Sequence, residues 1–151
     1  MSGRPRAGKL GRTMADTDPD CIFCKIVAGE LPSQRVDEDE LTVAFMDLNP
    51  ATRGHALVVP RRHVRDLLEI DSADLAATIQ AAQRLAQRVI PALGADGINL
   101  INSCGADAWQ TVFHLHVHVI PRYKGDPLKL PWIPQPGDAD EIAATAELLR
   151  A

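Results

Sequence analysis

Long apolar runs are absent from this 151-residue sequence, and its cysteines are few and odd in number. No stretch approaches the roughly 20 apolar residues that span a bilayer, so we expect no membrane anchor. A secretory signal needs an apolar run of about 7–15 residues near the N-terminus, where the sequence offers only Leu10. Three cysteines argue against a disulfide framework and favour a reducing, cytoplasmic compartment.

Basic charge is concentrated at the N-terminus, where residues 1–14 carry four Arg or Lys and no acid. The net charge of −4 therefore leaves about −8 on the remaining residues. Because a duplex-binding protein needs a basic face, this acidic body predicts no nucleic-acid partner. We expect residues 1–18 to be a disordered basic tail and residues 19–151 to form one domain.

Apolar spacing and turn residues predict an α+β fold: an antiparallel sheet of about five strands with one long helix and short terminal helices. The helices are expected on one side of the sheet, since the chain shows no regular βαβ alternation. The buried stripe of the long helix is predicted from a four-three spacing at Leu75, Ile79, Ala82, Ala86 and Val89. The predicted strands are 35–37, 41–46, 56–59, 98–102 and 112–120. The predicted helices are 21–28, 71–90 and 138–150, and a Pro-rich arm begins at 126.

Three of the five histidines, His114, His116 and His118, occupy alternate positions in one apolar segment. Side chains on a strand alternate between faces, so the three imidazoles are predicted to share one side. Such a row suits a catalytic zinc with three histidine ligands. It equally suits one neutral imidazole acting as a nucleophile beside neighbours that orient it. The spacing alone leaves both possibilities open.

The segment His-Leu-His-Val-His-Val-Ile, residues 114–120, resembles the His-φ-His-φ-His-φ-φ signature (φ, apolar) of the histidine triad nucleotide-binding family. The similarity extends over residues 21–125. Residues 52–63 resemble the family's strand with a fourth histidine, residues 45–47 its ribose-binding stretch and residues 105–112 its phosphate loop. The resemblance implies a histidine triad domain, a purine nucleotide substrate and a homodimer.

The resemblance also implies roles for individual side chains. His116 would attack the α-phosphorus and carry the nucleotidyl group covalently, with His118 orienting it and His55 completing the hydrogen-bonded set. This implies a hydrolase or transferase acting on nucleoside phosphoramidates or dinucleoside polyphosphates. A non-catalytic nucleotide-binding module and a zinc-dependent hydrolase stay open as alternatives. The other implied nucleotide-binding residues are Phe45, Asp47, Leu48, Asn102, Gln110 and Thr111. By residue type alone, Asp47 would be a turn-initiating carboxylate.

Cys21 and Cys24 form a Cys-x-x-Cys motif that is compatible with zinc, redox chemistry or coincidence. A thioredoxin-like motif would follow a strand in a βαβ unit, which the surroundings lack. His63 and His114 are able to complete a Cys₂His₂ tetrahedron. Similarity to bacterial histidine triad proteins with the same four residues implies a structural zinc, because a closed four-ligand site leaves no position for water. That assignment weakens the catalytic zinc alternative.

Overall fold

The computed structural model describes residues 16–151, so most of the predicted basic tail lies outside the described residues. Residues 16–18, also assigned to that tail, make defined contacts: the backbone N–H of His63 donates to the carbonyl of Asp16 at 2.7 Å. The described elements are α1 (Ile22–Val27), β1 (Arg35–Glu38), β2 (Thr42–Met46), β3 (Ala56–Pro60), α2 (Ser72–Leu93), β4 (Gly97–Ile101), β5 (Val117–Arg122) and α3 (Ala139–Arg150). A short 3₁₀ turn, Ala106–Ala108, lies between β4 and β5.

The five strands of residues 16–151 form one sheet in the order β1-β2-β3-β5-β4. Every neighbouring pair is antiparallel, which confirms the predicted α+β class. Strand β5 lies between β3 and β4, with His118 opposite Leu57 on one side and Ile101 on the other. The last histidine of the triad is therefore held by a strand paired on both edges.

Helix α2 covers one face of this sheet, and its ends follow local rules. The Asp71 carboxylate accepts from the backbone N–H of Asp74, which caps the first turn. Gly94, with φ of +66°, closes the last turn in the left-handed conformation. The helix was predicted to end before Pro91, but it continues through that residue to Leu93.

The buried side of α2 differs from the predicted stripe. Ala82 and Val89 are buried as expected, but Ile79 is 43% exposed and the helix is rotated toward Asp74, Thr78 and Leu85. Alanines 81 and 82 are at most 1% exposed, so these small side chains bring the helix axis close to the sheet. The core on this face comprises Ala44, Ala56, Val58, Ala81, Ala82, Leu85, Val89, Ala95, Val117 and Val119.

Helix α1 lies against the opposite face of the sheet, so the expectation of helices on one side only was wrong. A six-residue helix is too short to be stable alone; α1 is held by burial of Phe23, Cys24, Ile26 and Val27. The core on this face comprises Cys21, Phe23, Cys24, Ile26, Val27, Val43, Phe45, Leu57 and Val59. The sheet therefore separates two hydrophobic clusters.

The last strand begins at Val117 and not at Val112 as predicted. Before it, the backbone N–H of Leu115 donates to the carbonyl of Val64 instead of joining the ladder. The imidazole Nε2 of His114 lies 2.8 Å from the carbonyl oxygen of Pro60, where β3 ends. His114 and His116 thus lie in the segment leading into β5, and only His118 belongs to the strand itself.

The C-terminal arm is tied to the end of β5 by one ion pair. Arg122 contacts both carboxylate oxygens of Asp126 at 2.7 and 2.8 Å, and these hydrogen bonds hold the pKa of Asp126 well below its usual range. Beyond the arm, the side chain of Asp138 caps the N-terminus of α3, and no residue of this helix is buried. No helix within residues 16–151 is long and apolar enough to cross a membrane.

Candidate active site and metal centre

Four side chains from three parts of the chain converge at the start of α1. Cys21 and Cys24 lie on the first turn, His63 follows β3, and His114 precedes β5. The Sγ of Cys24 lies 3.3 Å from Nδ1 of His63 and 3.5 Å from Nδ1 of His114, and Cys21 Sγ lies 3.5 Å from the same His114 nitrogen. All four candidate ligand atoms lie within 4.8 Å of one another.

The donor set fits a tetrahedral zinc ion. Zn–S bonds of about 2.3 Å and Zn–N bonds of about 2.0 Å at tetrahedral angles place sulfur and nitrogen about 3.5 Å apart, which matches the separations above. The distal nitrogen of His114 bonds the Pro60 carbonyl, the outer contact that fixes a metal-binding imidazole. Burial raises the pKa of the Cys24 thiol to about 11. A zinc ligand must be a thiolate, and a bound cation would supply the positive charge that offsets the effect of burial. The cluster therefore suits a resident divalent cation.

Two further triad histidines face a different space, a pocket of about 430 Å³ beside α1. Its walls come from α1, the end of β2, the following loop, β3 and the segment before β5. His116 is 5% exposed and its ring centroid lies 5.1 Å from that of His118. The lining residues are Ile22, Phe23, Pro32, Ser33, Phe45, Met46, Asp47, Leu48, Asn49, His55, Leu57, Thr111, Val112, His116 and His118.

The hydrogen bonds in this pocket fix the protonation of each imidazole. The backbone N–H of Ala51 donates to Nδ1 of His55 at 2.9 Å, so the proton of neutral His55 resides on Nε2. That nitrogen lies 2.9 Å from Nδ1 of His118, which accepts and leaves the His118 proton on Nε2. His116 Nδ1 lies 2.8 Å from the carbonyl oxygen of His114 and must donate to it. The Nε2 atom of neutral His116 therefore carries a lone pair.

Burial keeps all three imidazoles neutral. Desolvation lowers the pKa of His55 against an opposing effect of the Asp47 carboxylate. It also lowers the pKa of His116, against the opposing effects of the hydrogen bond to the His114 carbonyl and of Asp47. For His118, desolvation and then the neighbouring His116 and His55 lower the pKa to about 4. A neutral imidazole is the nucleophilic form, so the pocket holds these rings in the reactive state at neutral pH.

Besides His116 and His118, four of the six other residues predicted to bind nucleotide line this pocket: Phe45, Asp47, Leu48 and Thr111. Asp47 also has the turn role considered for it, because its Oδ1 accepts from the backbone N–H of Asn49 at 2.8 Å. Its Oδ2 lies 3.5 Å from Nε2 of His55. One carboxylate thus shapes the loop and faces the histidines.

Asn102 and Gln110 are not among the residues that line the pocket. The Asn102 amide donates to the carbonyl of His116 at 3.0 Å. Gln110 is 3% exposed; its oxygen accepts from Gly105 and its nitrogen donates to the carbonyls of Arg65 and Val112. Both amides are bonded to backbone and hold the loop that precedes the histidines.

Sequence reasoning missed the contribution of α1 to this pocket. Ile22 and Phe23 form part of its wall, and the ring centroid of Phe23 lies 5.1 Å from that of His116. Their position between the two cysteines was the available signal, since ligands at Cys21 and Cys24 fix the direction of the residues between them.

The fold agrees with comparisons to known proteins. Residues 28–125 match the model of the HIT domain, which is about two thirds of the chain. The chain therefore belongs to the HIT family, whose name stands for histidine triad.

Two solved structures have a similar fold, and a curated relative has a similar sequence. A crystal structure from Streptococcus mutans UA159 is 40% identical, with a TM-score of 0.86 over 93% of this chain and 89% of that one. A zinc-bound histidine triad protein from Mycobacterium smegmatis is 39% identical, with a TM-score of 0.71 over 87% of this chain and 96% of that one. Adenylylsulfatase HINT3 of Arabidopsis thaliana is 38% identical over 83% of this chain and 62% of its own length.

Proposed function

We propose that this chain is a nucleotide hydrolase or nucleotidyl transferase that acts at the α-phosphate of nucleoside phosphoramidates or dinucleoside polyphosphates. The observation that carries the proposal is the state of His116. Its Nδ1 is committed to the His114 carbonyl, so Nε2 of a pocket-lining ring keeps a free lone pair. Membership of a family that includes an adenylylsulfatase supports a reaction on a nucleotidyl group.

The proposed reaction has two steps. In the first, Nε2 of His116 forms a bond to the α-phosphorus while the bond from phosphorus to the leaving group breaks. The leaving group takes up a proton and departs, and the nucleotidyl group stays on the imidazole. In the second, water or another acceptor bonds to phosphorus, loses its proton and releases His116. Hydrolysis yields a nucleoside monophosphate.

The remaining pocket residues support this reaction in different ways. His118 is oriented by its hydrogen bond from His55, which directs the His118 Nε2–H as a donor to the substrate. Asp47 is proposed to accept from the ribose hydroxyls, and the Thr111 hydroxyl to donate to a phosphate oxygen. Asn102 and Gln110 would act through the backbone that they hold, because their amide groups are already bonded there.

Capture of the covalent intermediate tests this proposal. The zinc-loaded protein is mixed with adenosine 5′-phosphoramidate, quenched within milliseconds in alkaline denaturant, and examined by intact-protein mass spectrometry. We expect one added adenylyl group on the wild type and on Cys104→Ser, a control outside the pocket, and none on His116→Ala. An adduct that persists in His116→Ala would overturn the assignment of the nucleophile.

The same experiment separates the alternatives. A non-catalytic nucleotide-binding module would bind AMP, measured by calorimetry, and form no adduct in any variant. A zinc-dependent hydrolase would lose its chemistry on chelation while remaining folded. The atoms of Asp47, His55 and His118 are close enough to hold a cation, but the 2.9 Å contact between the two imidazoles is a hydrogen-bond distance.

A structural zinc held by Cys21, Cys24, His63 and His114 is part of the proposal. When bound, it would neutralise the buried thiolates and fasten α1 to the loop after β3. The free cysteines fit a cytoplasmic location, where thiols stay reduced.

The assembled protein is proposed to be a homodimer built on α2 and the sheet edge β4. Ile79 and Ile90 of α2 are 43% and 39% exposed, and Leu100 and Ile101 of β4 are 45% and 40% exposed. Strand β4 is the end of the sheet, so its outer edge is available for a partner. Sedimentation equilibrium at micromolar concentration is expected to give twice the chain mass; a monomer would refute the dimer.

A further inference from the structure

The zinc cluster and the nucleotide pocket share one short helix. Cys21 and Cys24 provide two of the four candidate ligands, while the two residues between them, Ile22 and Phe23, line the pocket. The backbone N–H of Cys24 donates to Cys21 Sγ at 3.4 Å, so the first turn of α1 is built around the sulfur atom. Any change in the position of the sulfurs therefore moves the pocket wall.

Phe23 is the side chain that contacts both sites. Its ring meets that of His114, a zinc ligand, at a centroid distance of 6.0 Å, and that of His116, the proposed nucleophile, at 5.1 Å. Both contacts are edge-to-face, and a third such contact joins Phe23 to Phe45 in the pocket at 5.5 Å. Phe23 is only 7% exposed, and close-packed rings of this kind cannot shift independently of one another.

We propose that zinc binding and nucleotide binding are coupled, with Phe23 as the positioning residue that connects the Cys₂His₂ cluster to the pocket. The inference rests on the proposed nucleotide site. Zinc on the cysteines fixes α1 and thereby sets Phe23 against His116 and Phe45, so the pocket wall is ordered before nucleotide arrives. Nucleotide packed against that wall in turn holds α1 in the arrangement that keeps the four ligands together.

The coupling must be reciprocal, since two ligands that favour one conformation strengthen each other by the same factor. Zinc should increase affinity for AMP, and AMP should increase affinity for zinc by the same factor. Because bound nucleotide would hold the four ligands together, we expect this gain to appear as slower loss of zinc. A typical coupling changes affinity by about fivefold or more. This reciprocity supplies a measurement that does not depend on catalytic activity.

The experiment follows zinc transfer from the purified zinc-loaded protein to the chromogenic chelator 4-(2-pyridylazo)resorcinol, with and without saturating AMP. Calorimetry first establishes that AMP binds, and a protein-free mixture of zinc, AMP and chelator corrects for any binding of zinc by AMP. In the wild type we expect AMP to slow transfer by about fivefold or more. Failure of AMP to bind would count against the proposed function, whereas binding without slower transfer would reject only the coupling.

Two variants separate the route through Phe23 from a general loss of structure. Val27→Ala shortens another buried side chain of α1 in the same cluster, but Val27 does not line the pocket. We expect Val27→Ala to keep the ratio between the zinc-transfer rates without and with AMP, even if both rates rise. At AMP concentrations that calorimetry shows to saturate each variant, Phe23→Ala should reduce the ratio to about one, and Phe23→Leu, which keeps apolar bulk, should restore part of it.

The zinc cluster and the pocket are also joined by a second connection, and the test distinguishes it from the route through Phe23. His114 and His116 are two residues apart, and the His114 carbonyl accepts from His116 Nδ1 at 2.8 Å. If coupling ran through this backbone contact, Phe23→Ala would keep the wild-type ratio. That result would overturn the role of Phe23, and equal loss of the ratio in Val27→Ala would do the same.

Discussion

Two clusters of imidazoles in this protein share one five-residue segment, residues 114–118, and they differ in what surrounds them. His114 is 0% exposed, with two sulfur atoms at 3.5 Å on one nitrogen and a carbonyl oxygen on the other. His116 uses one nitrogen on a carbonyl, and its ring lines an open pocket with His118. The first histidine has no ring nitrogen left for substrate, whereas the second does.

The comparison shows that the neighbours of each imidazole, and not its residue type, distinguish the members of the triad. A nitrogen facing thiolates suits a metal, because soft sulfur ligands and imidazole together favour zinc. A nitrogen facing a polar cavity, next to a second imidazole and a carboxylate, suits reaction with phosphorus. Substituting each histidine separately and comparing the resulting losses is therefore the most direct test of this difference.

Crossed substitutions should give the largest effects. We expect His116→Ala to lower kcat by about 10⁶-fold and to retain one zinc per chain, since its ring is not among the four ligands. His114→Ala should lose zinc and with it about 4 kcal/mol of unfolding free energy at free zinc 1,000-fold above Kd. Kinetics, metal analysis and denaturant unfolding measure the three quantities. The division would fail if His114→Ala kept stoichiometric zinc.

Acid titration should separate the pocket from an ordinary histidine site. The pKa of His118 is lowered to about 4 and those of His55 and His116 are lowered as well. The folded state thus binds fewer protons than the unfolded state below pH 6.5, and these groups reduce stability as pH falls from 6.5 towards 4. We therefore expect kcat/KM to persist just below pH 6.5, the ordinary pKa of histidine, and to decline only at a pH well below that value.

A pH profile of kcat/KM at confirmed zinc saturation tests this expectation. Asp47→Asn provides the matched comparison, because the Asp47 charge raises all three imidazole pKa values. Without that charge, the acid limb should move to still lower pH. A limb centred near 6.5 in the wild type, or a shift to higher pH in the variant, would contradict the assigned electrostatics.

Asn102→Ala should give the smallest effect and sharpen the same contrast. The amide of Asn102 donates to the His116 carbonyl, and loss of one such hydrogen bond costs about 1 kcal/mol. We expect kcat/KM to fall by up to about tenfold, with zinc content unchanged. Steady-state kinetics and metal analysis provide the measurement. A variant that lost zinc as readily as His114→Ala would show that the two clusters are not separable.

The strands and the long helix were predicted from the sequence because they depend on local patterns, whereas the residues of the Cys₂His₂ cluster were implied by the resemblance to bacterial histidine triad proteins. Alternation in β5 was interpreted correctly for Val117 and Val119, which pack against α2. The buried side of α2 was predicted wrongly, because an alanine-rich helix has no single apolar face. Packing against the sheet leaves Ile79 exposed. The predicted start of β5 was also wrong, because Leu115 contacts Val64 after β3 and His114 contacts Pro60 at the end of β3, and these contacts replace the ladder there.

Residue types and spacing alone determined that this chain carries three alternate imidazoles, a pair of cysteines and an antiparallel sheet. Only the tertiary structure decided which imidazole nitrogen faces sulfur, which faces the pocket, and that Phe23 lies between them. The physical reason is that alternation fixes a face of a strand, whereas proton position and metal ligation depend on atoms brought in from α1 and β3. Those partners are distant in sequence and meet only when the sheet is formed.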